Sequence, residues 1–220
     1  MSEFCYWTVG LGQDAEPLAR CVRTARSVGV KEEFHVFTDA PIEGAFCHSA
    51  PEVEAPADRR LLVYLLVGGE QLAAKYLIWI APTSKFRSNP SDPLKVLEGA
   101  PFHMPLGNII SPDRASLEEQ RIHEIYKRGG LFNPPRSVKY GFWCIKRSAI
   151  TRVCELAGHV IGLAREQNQE ISATDALGFA CQMLCGNPKL HRVEMHQDVW
   201  RQLESSNVKT GANLPSIVCG

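Results

Sequence analysis

The residues of this chain that could carry chemistry are few, and most stand where apolar segments end. Asp39 closes Phe34-His35-Val36-Phe37-Thr38 just before Ala40-Pro41. A carboxylate there either forms an Asx turn or meets a ligand beyond the carboxyl end of a strand. The most apolar segment, Tyr76-Leu77-Ile78-Trp79-Ile80, runs into Ala81-Pro82-Thr83 and then Ser84-Lys85-Phe86-Arg87. Lys85 and Arg87 form either a solvated loop face or a cationic pair able to neutralise a phosphate leaving group. Asp175, in Ser172-Ala173-Thr174-Asp175, sits at a helix start that the macrodipole favours for a carboxylate. The same carboxylate could instead stabilise a cationic transition state or act as a transient nucleophile. Trp143 and Trp200 could stack on a sugar ring, whereas Trp79 belongs in the core. His191 and His196 flank a late apolar stretch and read as surface or hydrogen-bonded histidines.

Several chemistries lack their signatures. After the first strand stands only Gly10-Leu11-Gly12, without a GxGxxG fingerprint, and no GxxxxGK[ST] occurs. GxSxG, HExxH and the kinase motifs are also absent. The eight cysteines include no CxxC, and Cys181 and Cys185, four residues apart, have no second pair at zinc spacing. They read as reduced core thiols, which points to a cytoplasmic location.

The elements that must position these residues alternate. Phe4–Val9 is a short β-branched and aromatic strand stopped by Gly10. Over 15–28, Leu18, Cys21, Val22, Ala25 and Val28 share one helical face, and Gly29 ends it. Phe34–Thr38 is the next strand, so a right-handed parallel crossover opens an α/β sheet. Residues 40–57 read as an irregular connection. A helix is expected from an Asp58 cap to about Lys75, with a break at Gly68-Gly69. Tyr76–Ile80, apolar without alternation, is expected at the centre of the sheet.

Farther on, the pattern predicts a short helix over 93–98 and a strand over Pro101–Leu106. A helix follows over 114–128, with Leu117, Ile122 and Ile125 inward, and then a loop over Gly129–Ser137. Gly141–Lys146 is a strand leading into a helix from Ser148 to about Gln167. A last helix runs from a Thr174 cap to Leu184, and Leu190–Met195 is a final strand.

Length and charge agree with one soluble domain. A chain of 220 residues buries roughly 70–75% of its unfolded surface without staples. Its 24 Lys and Arg balance 24 Asp and Glu, which argues against a broad basic surface for nucleic acid. The longest apolar run, Leu61–Val67, is far shorter than the roughly 20 residues of a membrane span. The N-terminus lacks the pattern of a signal peptide.

The order of these segments resembles a known family. Thr8-Val9-Gly10, Phe34–Asp39 and Tyr76–Ile80 are similar to the nucleotide-binding half of GT-A-fold glycosyltransferases. The likeness is nearest to the retaining galactosyl- and N-acetylgalactosaminyltransferases of the blood-group A/B type. Tyr140–Ser148 is similar to that family's acceptor-side strand and helix, and Thr174-Asp175-Ala176-Leu177 to its acidic helix start. The resemblance implies an α/β, GT-A-like (Rossmann-like) domain over 1–200, with a mostly parallel sheet, and a tail over 201–220. It implies a nucleotide-sugar donor, UDP-sugar first, and a carbohydrate or other hydroxyl acceptor. Thr8, Val9, Gly10 and Asp39 would then meet the nucleoside, Lys85, Arg87 and Trp143 the diphosphate and substrate, and Asp175 the reacting sugar carbon. One departure matters. Where the family carries Asp-X-Asp to hold Mn²⁺ or Mg²⁺, this chain has Ala81-Pro82-Thr83, a poor donor set for a hard cation. Transfer without a tightly held metal is the expected reading, and a catalytically silent binding protein is the alternative.

Overall fold

A computed structural model describes residues 2–50, 57–86, 89, 101–104, 106–109, 115–131, 136–138, 142–184 and 217–218. β1 (Phe4–Gly10) is followed by a 3₁₀ turn at Gly12–Asp14 and by α1 (Ala15–Ser27). Leu18, Cys21, Val22 and Ala25 of α1 are buried, the face that their i, i+3, i+4, i+7 spacing predicts. β2 (Phe34–Thr38) then pairs parallel with β1, Tyr6 opposite Phe34 and Gly10 opposite Thr38.

The stretch expected to be irregular contains β3 (Phe46–Ser49), which pairs parallel with β2. It is an edge strand with Phe46, Cys47 and Ser49 exposed, so it has no buried alternation to announce it. α2 (Ala57–Gln71) holds Asp58 inside the helix rather than at a cap, and it continues unbroken through Gly68 and Gly69. Gly69 is there for packing: a Cβ on it would lie 2.7 Å from Ile150 Cδ1.

β4 (Tyr76–Ile80) is central, parallel to β1 on one side. β5 (Lys85–Phe86), β6 (Phe102–His103) and β7 (Leu106–Ile109) follow. α3 (Leu117–Arg128) starts with a capping box in which Ser116 accepts from the Glu119 N–H and Glu119 reaches back to the Ser116 N–H. As the first residue of the helix, Leu117 is 75% exposed, not inward as expected, while Ile125 is buried. β8 (Arg136–Val138) replaces the end of the expected loop and pairs with β7.

β9 (Phe142–Lys146) lies antiparallel to β4, with Trp143 opposite Trp79. The six-stranded sheet has the order β3-β2-β1-β4-β9-β6, parallel except for β9. A 3₁₀ turn at Arg147–Ala149 leads into α4 (Ile150–Glu166), which buries Ile150, Val153, Ala157, Val160, Ile161 and Ala164. A fifth helix, α5, spans 173–184. Ser172 caps it, accepting from the Asp175 N–H at 3.0 Å, so Thr174 is not the cap. β10 (Ile217–Val218) pairs with β5. The expected helix at 93–98 and strand at 190–195 lie outside the described residues.

The fold is therefore α/β, with a mostly parallel mixed sheet flanked by helices. Each face of the sheet carries its own core. On one, α1 covers Tyr6, Phe34, Val36, Ile78 and Cys144. On the other, residues of α2, α3, α4 and α5 cover Trp7, Phe37, Leu77, Trp143 and Ile145. Among the described residues no helix is long and apolar enough to cross a membrane. The six described cysteines form no disulfide. Burial pushes the thiols of Cys5 and Cys154 up to about 12, as fits side chains that pack rather than react.

Candidate functional site

The placement of α1 and α2 on opposite faces fixes where a ligand can enter. The β1–α1–β2 crossover runs over one face and the β3–α2–β4 crossover over the other. The strand order reverses between β1 and β4, and open α/β sheets take ligands in the crevice beyond the carboxyl ends of the strands at such a point. Val9, Gly10 and the loop to α1 form one lip, and Ala81–Ser84 the other.

Gly10 and Asp39, both expected in the site, stand at the ends of neighbouring strands here, and Gly12, which was not expected in it, binds Asp39. The Gly12 N–H donates to both carboxylate oxygens of Asp39, at 3.1 Å to Oδ2 and 3.3 Å to Oδ1. Gly12 has φ of +57°, a conformation that glycine adopts without strain and that lets the loop fold back on Asp39. Gly10 packs closely against α1: a Cβ on it would stand 2.6 Å from Leu18 Cδ2, so the end of that side chain would have to shift. Thr38 steadies the same corner, its Oγ1 accepting from the Ala40 N–H at 3.2 Å. Asp39 remains exposed, so its carboxylate keeps acceptor capacity facing solvent. Thr8 is fully buried and its hydroxyl has no hydrogen-bond partner among the described residues, so its side chain lies under the crevice and does not line it. Val9 is half-buried.

The opposite lip is a turn closed by Ser84 N–H donating to Ala81 O at 2.9 Å. Ala81 and Pro82 are half-buried and Thr83 is exposed. The first turns beyond β1 are acidic, with Asp14 and Glu16 both exposed, and Glu16 pairs with Arg23 at 3.2 Å. Such an exposed pair contributes little energy. Among the described residues, no group of three or more His, Cys, Asp or Glu stands together as a metal would need.

The other expected residues are dispersed. Beyond Ser84 the chain turns down the α1 face: the Phe86 N–H donates to Thr24 Oγ1 at 3.0 Å, and the Phe86 ring lies 5.6 Å from that of Tyr6. Lys85 is thereby carried from the crevice toward the C-terminal half of α1, where it is exposed and opposite Val218. The direction of a chain after a turn is not written in residue spacing, so the sequence alone does not place Lys85. Arg87 lies outside the described residues, as do Cys185, His191, His196 and Trp200.

Trp143 is 1% exposed and presents no ring to a sugar. Pairing across β4 and β9 stacks it on Trp79 at 5.6 Å, with Trp7 and Phe102 edge-on at 5.7 and 5.6 Å. Trp79, expected in the core, is half-buried against the same cluster.

Asp175 stands at the start of α5. Its Oδ2 accepts from Ser172 Oγ at 2.5 Å, and its backbone oxygen accepts from Tyr126 Oη at 2.5 Å. It borders a cavity of about 580 Å³ with Glu118, Arg121 and the 167–172 turn. Its engagement as a helix-start residue is the structural role that the sequence allowed, and its side chain still borders space.

One polar cluster was not read from the sequence, because β3 was not. His35 Nδ1 and His48 Nε2 lie 2.9 Å apart, so one donates to the other, and His35 Nε2 lies 3.3 Å from Glu33 Oε2. Burial, and then the neighbouring His35, hold the His48 imidazole below its ordinary range. His48 is therefore neutral in the fold at pH values where it would be charged in the unfolded chain. The unfolded state binds the extra proton, so stability falls as pH drops below about 6.5. Urea unfolding at pH 7.5, 6.5 and 5.5 should show this loss, and His48→Gln should flatten it.

No protein-family model matches the chain, and no curated protein is significantly similar to it.

Proposed function

We propose that this chain is a GT-A-like glycosyltransferase that moves a sugar from a nucleotide-diphosphate donor to a hydroxyl acceptor. The observation that carries the reading is the Asp39 carboxylate held on the Gly12 N–H at the carboxyl ends of β1 and β2, beside the β1–β4 switch point. An acid near the end of the second strand is where doubly wound sheets take the ribose hydroxyls of a nucleotide. Gly10 and Gly12 leave backbone groups approachable beside it, and the order of strand motifs supports the same family. UDP-sugar is the donor class.

In the transfer, the acceptor oxygen bonds the anomeric carbon as the bond from that carbon to the diphosphate oxygen breaks. The nucleoside diphosphate leaves with the electron pair, and the acceptor proton passes to it or to solvent. Asp175 would steady positive charge on the sugar carbon. Loss of one such electrostatic group costs about 10²–10³ in rate. Asp175→Asn should therefore lower donor turnover by that factor while leaving UDP affinity within twofold. Turnover unchanged in the variant would remove Asp175 from the mechanism.

A second reading, binding without transfer, draws on two observations. Lys85 lies down the α1 face, away from where a diphosphate would leave, and Asp175 is tied to Ser172. On this reading the wild-type protein binds nucleotide and releases no sugar from it. A donor-hydrolysis assay beside the binding measurement separates the two.

A further inference from the structure

At the opposite edge of the sheet, where β1 and β4 begin, lies a cavity of about 710 Å³. Lys75, Lys146, Arg147 and Ser148 line it together with Ser2, Glu3, Gly69 and Ala74. Among the described residues, three cations and one carboxylate thus line a single recess of a chain that has no net charge.

The frame of this recess is built from three chain segments tied by backbone bonds. Lys75 N–H donates to Ser2 O at 3.2 Å, Tyr76 N–H to Glu3 O at 3.0 Å, and Arg147 N–H to Lys75 O at 2.9 Å. The Arg147 side chain is anchored as well, its Nε donating to Gly69 O at 2.7 Å at the end of α2. That anchor fixes the guanidinium plane and leaves its terminal nitrogens without a partner among the described residues. Arg147 and Lys146 are both half-buried, so their charges are less screened than on an open surface. Lys75 lies over the Tyr76 ring at 5.3 Å. No side chain caps the turn that starts at Arg147, and no acidic residue stands in it or in the first turn of α4.

We infer that this recess is a second binding site, for a small phosphorylated molecule that also carries hydroxyl groups. A rigid guanidinium with free terminal donors matches the oxygens of a phosphate group, and the two lysines add charge. The volume lies in the range of small-molecule pockets and exceeds what orthophosphate alone would fill. Glu3 repels a bare polyanion but accepts from hydroxyls, which favours a sugar phosphate over pyrophosphate. The site lies at the other end of the strands from Asp39 and does not depend on the nucleotide reading.

The test is calorimetric titration with glucose 6-phosphate and with inorganic phosphate. Glucose 6-phosphate should bind saturably and tighter than phosphate. Lys75→Gln with Lys146→Gln, which leaves the Arg147 anchor in place, should weaken both at least tenfold without changing the melting temperature by more than a few degrees. Glu3→Gln should narrow the gap between the two ligands, and Asp39→Asn should leave both unaffected. Absence of saturable binding, unchanged affinity in the double lysine variant, or loss of glucose 6-phosphate binding in Asp39→Asn would each overturn the inference. An unchanged gap in Glu3→Gln would overturn its hydroxyl-bearing part.

Discussion

Trp143→Ala should lower the unfolding free energy by about 3–5 kcal/mol, the usual cost of emptying a large aromatic site in a packed core. The side chain is 1% exposed and touches three aromatic rings, those of Trp79, Trp7 and Phe102. Those neighbours belong to β4, β1 and β6, so the cavity would open across three strands at once. In a chain of this size, a loss of that order corresponds to a fall in melting temperature of roughly 6–20 °C. Had Trp143 been a platform for a sugar ring, its removal would change stability by no more than about 0.5 kcal/mol, as surface substitutions do. Chemical denaturation of the variant distinguishes these two roles. Trp143→Phe, which keeps a ring in the stack, should recover much of the loss.

Asp39→Asn should weaken UDP binding by roughly 10- to 100-fold, because hydrogen bonds to a charged acceptor contribute about 1.5–3 kcal/mol. The substitution keeps the shape of the side chain. Its amide oxygen can still accept from the Gly12 N–H, so the β1 loop should hold its conformation. It loses the negative charge and one of the two acceptor oxygens that would meet adjacent ribose hydroxyls. Its effect on stability should therefore be small and its effect on affinity large. Equal affinity in the variant would separate Asp39 from the ligand and leave it as a turn-forming residue.

The sequence made the layers of this fold legible where burial imposes a period. Leu18, Cys21, Val22 and Ala25 mark the inner face of α1, and the unbroken apolar run of Tyr76–Ile80 marks a strand covered on both faces. β3 left no such trace because an edge strand buries little, and its exposed Phe46, Cys47 and Ser49 do not alternate. Gly68 and Gly69 look like a helix break in sequence, but the close approach of Ile150 gives Gly69 another reason to be small, while a Cβ on Gly68 would meet only ordinary contacts, the nearest at 3.7 Å. Ser172 and Thr174 are both cap-forming types, and the bond from the Asp175 N–H identifies Ser172 as the cap.

The site was legible in the same uneven way. Asp39 is marked by its place after a strand, but Gly12, 27 residues away in the turn after β1, is not, and only the parallel pairing of β1 and β2 brings the two together. Trp143 was ambiguous because an aromatic residue on a strand faces either a core or a groove, and the partner strand decides which. Here its register opposite Trp79 places both rings on one face. The recess lined by Lys75, Lys146 and Arg147 joins three distant segments and has no motif to mark it.

The charge balance also looks different in three dimensions. Lys85 was expected to bring positive charge to the mouth of the crevice, but the chain carries it down α1. The lip that remains has Asp14, Asp39 and Glu16 near it, while three cations collect at the far edge of the sheet. A nucleoside read through its ribose hydroxyls suits the acidic lip better than a bare phosphate would.

The central claim is that a nucleotide sugar docks at the β1–β4 crevice without depending on a divalent metal. It is tested most directly by thermal unfolding of the wild-type protein with UDP, GDP and their sugars, with and without Mn²⁺. At a hundredfold excess over its dissociation constant a ligand adds about 2.7 kcal/mol of stability. In a chain of this size that is a rise of roughly 5–11 °C. A UDP-sugar should produce such a rise, of the same size with and without Mn²⁺. No rise with any nucleotide would contradict the account, and a rise that appears only with Mn²⁺ would contradict its reading of Ala81-Pro82-Thr83.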